Sequence, residues 1–124
     1  MSSTVLGQGI IDWHPSGSVF TGSGLSEQNI PFTYHSNWTA PGRWAIEVIT
    51  NERRFYLKPM EKLQVQLKGS VAVNEHPIDD KDDLVVKHGL LLQTTDFLSD
   101  KLDRLLTVEE QIKSLHFYNE IGGY

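Results

Sequence analysis

Residues 43–68, RWAIEVITNERRFYLKPMEKLQVQLK, decide how this chain folds. From Arg43 to Ile49, Trp44, Ile46 and Val48 fall on one side of an extended chain, and Ala45, Glu47 and Ile49 on the other. Thr50-Asn51-Glu52 supplies a reversal, and Arg53 to Lys58 returns as the second strand of a hairpin. Lys62 to Lys68 alternates more sharply: Leu63, Val65 and Leu67 stand opposite Lys62, Gln64, Gln66 and Lys68. A period of two with one apolar and one polar side predicts an antiparallel sheet.

The same pattern extends towards the N-terminus. Gly7 to Trp13 and Ser18 to Gly24 flank His14-Pro15-Ser16-Gly17, whose Pro and Gly suit a reversal. Asn29 to Trp38 is a further strand rich in aromatics and Thr, and Ala40-Pro41-Gly42 breaks it. Val71 to Glu75 adds a short edge strand. After the charged loop Asp79-Asp80-Lys81-Asp82-Asp83 the spacing becomes helical. His88 to Leu98 carries Leu91, Leu92, Thr95 and Leu98 near a three-to-four repeat. Thr107-Val108-Glu109-Glu110 is a capping-box pattern, in which the Thr hydroxyl accepts from a backbone N–H and Glu110 reaches back. Ile112, Leu115 and Phe117 or Tyr118 give that helix an apolar side, and Gly122-Gly123 ends it. The expectation is one α+β domain over residues 1–124: a mostly antiparallel, open β-sheet with helices packed on one face. The other face is left open, and an open, partly apolar sheet face serves as an interface.

Bulk properties narrow the function. The chain has 124 residues and a net charge of −5. Its acidic residues lie mostly between Glu75 and Glu120, so it does not attract phosphate backbones, and no nucleic-acid partner is expected. Cysteine is absent, which excludes disulfides, thiolate zinc sites and cysteine nucleophiles. This fits a reducing compartment, and the expected location is the cytoplasm. No stretch approaches a membrane span, and Met1 to Thr4 lack the basic start and apolar run of a signal peptide. No membrane partner is expected, and Asn37-Trp38-Thr39 reads as a chance glycosylation sequon.

Few motifs carry chemistry. Gly7-Gln8-Gly9-Ile10-Ile11-Asp12 has two of the three glycines of a dinucleotide turn but Asp in the third place. Gly22-Ser23-Gly24 fails likewise at Glu27. The five histidines, His14, His35, His76, His88 and His116, show no metal-ligand spacing. The run Asp79 to Asp83 lacks the Gly and terminal Glu of a calcium loop and reads as solvated. No G-x-S-x-G elbow is present. Tyr34, His35, Asn37, Trp38, Arg43 and Trp44 remain as candidate substrate-binding residues: rings stack on sugar faces, and Asn, His and Arg bind hydroxyls or anions. Alternation puts Tyr34 and Trp38 on one face and His35 and Asn37 on the other, so one pocket holding all six needs a bent strand. Core packing is the competing role, because strands are rich in aromatics. No catalytic, cofactor-binding or metal-binding residue is assigned.

The run from Tyr34 to Val48 resembles a stretch in the C-terminal domain of the glucose–fructose oxidoreductase / inositol dehydrogenase (Gfo/Idh/MocA) family. Thr21-Gly22-Ser23-Gly24 with Ile30 to His35, then Glu47 to Leu63, then Gly69 to Val73 and His88-Gly89-Leu90, are similar to its successive strands. The resemblance covers about Gly7 to Ser99, and the order of the pieces carries it. It implies a substrate-side and oligomerisation domain of an NAD(P)-dependent dehydrogenase acting on a sugar, sugar-nucleotide or cyclitol. The NAD or NADP implied for the parent would sit on an N-terminal Rossmann domain that is absent from these residues. Lys58-Pro59 echoes the family's Glu-Lys-Pro motif, but Leu57 replaces Glu. The family's Asp…His helix would precede Gly7. The chain alone is therefore expected to be inactive and to hold no cofactor. Its expected partners are the missing Rossmann domain and a second copy, met through the open sheet face. The alternatives are a stand-alone interaction module dimerising through that face, or a small sugar- or anion-binding protein.

Overall fold

The structure, a computed structural model, describes residues 4–14 and 16–124. Pro15, in the predicted first turn, and the leading residues 1–3 lie outside the described residues. The α+β class and the antiparallel pairing hold: every named strand pair is antiparallel. The strands are divided between two sheets, one of three strands and one of four. The chain correspondingly separates into two compact units, one of residues up to Pro41 with Leu106–Tyr124, the other Gly42–Leu105. The first boundary falls at the Ala40-Pro41-Gly42 break.

In the first unit, β1 (Thr4–Gln8), β2 (Val19–Leu25) and β3 (Pro31–Asn37) lie in sequence order. β1 and β2 pair as a hairpin, but β1 shares only Gly7 and Gln8 with the predicted strand Gly7 to Trp13, and the connection spans residues 9–18 in place of the predicted four-residue turn. Gly9 takes a left-handed φ of 85°, through which an extended strand does not continue, and a Cβ there would lie 2.1 Å from the Ser18 hydroxyl oxygen. An isolated bridge between Ile11 and His14 follows. The β2–β3 turn is closed by the Ser26 N–H donating to the Ile30 carbonyl (2.9 Å), with Asn29 left-handed. Helix α2 (Val108–Gly122) packs on β2. Its predicted capping box forms: Glu110 N–H donates to Thr107 Oγ1 (3.2 Å), and Thr107 N–H donates to Glu110 Oε2 (2.9 Å). It ends where predicted, with Gly123 left-handed at the C-cap. Phe20 is the one buried hydrophobic residue among those described, at 5% exposure.

In the second unit, β4 (Ile46–Ile49), β5 (Arg53–Leu57), β6 (Leu63–Leu67) and β7 (Val73–His76) form a meander. The register aligns Ile46, Leu57, Leu63 and His76, and next to them Val48, Phe55, Val65 and Asn74. With Leu67 opposite Arg53, one face is thus a band of Ile, Val, Phe and Leu edged by Arg53, Asn74 and His76. The other face carries Glu47, Tyr56, Gln64 and Glu75, with Arg54 and Gln66 in the next row. There Arg54 pairs with Glu47 and lies over the Tyr56 ring, whose hydroxyl donates to Gln66 Oε1 (2.9 Å). Trp44 was expected on the apolar side with Ile46 and Val48, but β4 starts only at Ile46, leaving Trp44 outside the alternation.

Beyond β7, a 3-10 turn (Lys81–Leu84) leads into α1 (Leu90–Leu98), and a second 3-10 turn (Leu102–Arg104) follows. The predicted helix start at His88 moves to Leu90, because Gly89 takes a left-handed φ of 75° at the N-cap. The residue that α1 buries is Asp96, 6% exposed and 3.5 Å from Arg104, while Leu90, Leu91, Leu92, Phe97 and Leu98 are exposed. No described helix is long and apolar enough to cross a membrane.

Candidate functional site

The six candidate residues fall in both units. Tyr34, His35, Asn37 and Trp38 belong to the first, and Arg43 and Trp44 to the second. In β3, Tyr34 turns to the half-buried side with Phe32, whose ring lies 6.5 Å from it and 6.0 Å from Phe117 of α2. The Tyr34 hydroxyl is buried with no hydrogen-bond partner among the described residues. Burial, and secondarily the charge of Glu120, push this phenol above its ordinary pKa. Tyr34 is therefore part of the packing between β3 and α2. His35 and Asn37 occupy the exposed side. Asn37 Oδ1 is engaged locally, accepting from the Thr39 N–H (3.0 Å) and hydroxyl (2.8 Å) in the turn that ends the strand. Trp38 is exposed beyond the strand end and packs edge-on against Trp13, centroids 5.1 Å apart.

Ser16 and His14 come together in the first unit without forming a nucleophile. The Ser16 hydroxyl donates to the Gly122 carbonyl (2.6 Å) and lies 3.3 Å from His14 Nδ1. The His14 ring is wedged between Phe20 and Tyr124. These contacts anchor the end of α2.

Arg43 and Trp44 line a cleft of about 400 Å³ within the second unit. Sequence reasoning did not see the residues that complete it: Met60, Glu61, Ile78, Asp83 and His88. Arg43 and Trp44 precede β4. Met60 and Glu61 sit in the β5–β6 turn, closed by the Lys62 N–H donating to the Pro59 carbonyl (2.9 Å). Ile78 follows β7, Asp83 belongs to the 3-10 turn, and His88 precedes α1. Arg43 Nη2 reaches Glu61 Oε1 at 3.4 Å, and the Arg43 side chain remains 73% exposed. Asp83 is held more firmly. Its Oδ1 accepts from the Gly89 N–H (2.9 Å), and its Oδ2 lies 3.3 Å from His88 Nδ1. The Gly89 bond first, and His88 second, hold the Asp83 carboxyl below the usual carboxylate range. Trp44, 77% exposed, with Met60 and Ile78 forms the apolar lining. A flat ring, a guanidinium with unused N–H groups and two carboxylates can hold a small polar ligand by one face and its edge.

The glycine pair at Gly7 and Gly9 forms no dinucleotide cradle, since the bridge at Ile11–His14 and then β2 follow it, with no helix. Among the described residues no cluster of three metal-ligating side chains occurs. Comparison with protein families, characterised proteins and solved structures finds no match to this chain.

Proposed function

We propose that this chain is the substrate-side and oligomerisation domain of a cytoplasmic, NAD(P)-dependent dehydrogenase acting on a sugar, sugar-nucleotide or cyclitol. It does no catalysis alone, because hydride transfer needs a cofactor held against the substrate. One observation carries the reading: the apolar face of the β4–β7 sheet is uncovered. Ile46, Val48 and Leu67 are exposed, and Phe55, Leu57, Leu63 and Val65 are only half-buried. A face of this composition gains by leaving water, roughly 25 cal/mol for each Å². The sequence resemblance supports this class of parent enzyme, and the cleft at Arg43 and Trp44 would supply a wall for its substrate.

The uncovered face equally supports a stand-alone module that dimerises through this sheet. One measurement tests the domain reading, and a second separates it from the module. NADH and NADPH titrated into this chain are expected to show no binding, and micromolar affinity for either would sink the domain reading. The native polypeptide in source cells is expected near three times the 14.1 kDa of this chain, and a band at the chain's own mass would favour the module.

A further inference from the structure

We infer that the outer edge of β4 is a second contact surface of this chain, pairing antiparallel with β4 of a second copy so that Val48 lies opposite Val48 of that copy. This deepens the oligomerisation reading above and rests on it in taking a second copy as the partner. The edge is a different surface from the uncovered face.

The two edges of the sheet differ. The β4–β7 sheet ends at β4 on one side and at β7 on the other. Sheets protect their edges with Pro, with Lys or with an unanswered charge. β7 is followed at once by Pro77, and the residues it brings into line with the apolar band are Asn74 and His76. β4 has neither Pro nor Lys between Arg43 and Arg53. It brings Ile46 and Val48 to the band, and all four of its residues are exposed. Its one charge is Glu47, whose Oε1 already accepts from Arg54 Nε (2.7 Å).

The backbone of β4 has bonds to give. The Thr50 N–H donates to the Arg53 carbonyl (2.9 Å), so Thr50 turns its backbone towards β5. Antiparallel pairing alternates along a strand. Val48 and Ile46 therefore direct their N–H and C=O groups to β5, and Glu47 and Ile49 direct theirs away from it. An added strand satisfies such groups.

Charge then selects the register. Residues directly opposite one another in a sheet share a face, and like charges placed so are destabilising. Centring the pair on Glu47 sets two carboxylates opposite each other. Centring it on Val48 sets Glu47 opposite Ile49 of the second copy, and Ile46 opposite Thr50 of the second copy. The outward groups of Glu47 and Ile49 then bond one another, and the apolar band continues across both copies. A two-fold axis beside Val48 makes the strand its own complement, which favours a second copy over an unrelated strand.

The test is cross-linking of the full chain. It contains no cysteine, so a single introduced thiol reports the contact. Opposite residues of this kind have Cα atoms about 4.5 Å apart, within disulfide range. Ile46 would lie about 14 Å along the strand from its counterpart. Under copper phenanthroline, Val48→Cys is expected to form a disulfide-linked dimer roughly 10-fold faster or more than Ile46→Cys. The two positions are equally exposed on the same face, so chance collision does not separate them. The cross-link is expected to persist when Val48→Cys is combined with Val65→Lys, which disables the face, and circular dichroism is expected to match the parent chain. Equal rates at the two positions overturn the inference. So does loss of the cross-link in the combined variant, because the face would then have produced it. The face itself is judged by sedimentation of Val65→Lys alone, and the domain reading by cofactor binding and native mass.

Discussion

At the scale of single residues, the structure separates candidates that look alike in sequence. Tyr34 and Trp44 are both aromatics in the stretch that suggests a ligand site. Tyr34 packs with Phe32 near Phe117, and its hydroxyl has no hydrogen-bond partner among the described residues. Trp44 stands open in the cleft. A buried hydroxyl without a partner costs about 1–3 kcal/mol. Tyr34→Phe is therefore expected to leave the unfolding free energy unchanged or raise it by up to about 1 kcal/mol, measured by urea denaturation, with ligand binding unaffected. A clear loss of stability would mean that the hydroxyl has a partner. Alternation along residues 34–38 was legible in the sequence and separated Tyr34 from His35 and Asn37. It could not tell which side faces α2, because that depends on a helix more than 70 residues further along the chain.

At the scale of elements, local chemistry predicted best where it is self-contained. The Thr107–Glu110 capping box needs four consecutive residues and nothing else, and it forms as expected. Thr107→Ala is expected to cost about 1 kcal/mol of stability, read from chemical denaturation. Hydrogen bonds from the Thr107 N–H and hydroxyl hold the Glu110 carboxyl below its ordinary pKa. The sign follows from that depression. The cap contributes fully above the unfolded-state pKa of Glu, and its contribution is lost as pH falls through the lower, folded value. Amide exchange over the first turn of α2 is expected to quicken across that acidic window in the native chain and to be pH-independent there in Glu110→Gln, after correction for intrinsic rates. Strand ends were harder to place. β1 stops at Gly9 and α1 starts after Gly89, in both cases at a left-handed glycine. Neither glycine sits in a turn dipeptide that announces the conformation.

At the scale of the whole molecule, the side-chain faces have their largest consequence. Leu63, Val65 and Leu67 alternate with polar residues, and the register joins them to Phe55, Leu57, Ile46 and Val48 in one band. Self-association through this band is expected in sedimentation experiments on the chain. Val65→Lys, near the centre of the band, is expected to weaken it by roughly 30-fold or more. Gln64→Lys on the opposite face is expected to leave it intact. If both variants associate like the parent sequence, the apolar band is not the contact. By itself the sequence determined the α+β class, the antiparallel strands, their apolar and polar sides, and the cap of α2, because each depends on residues within a few positions of one another. Tertiary structure alone decided that the strands divide into two sheets. It also brought Arg43 and Trp44 together with Glu61, Asp83 and His88. The period of a strand says which way its side chains point but not which strand lies beside it, and proximity of loop residues is a property of the path between them.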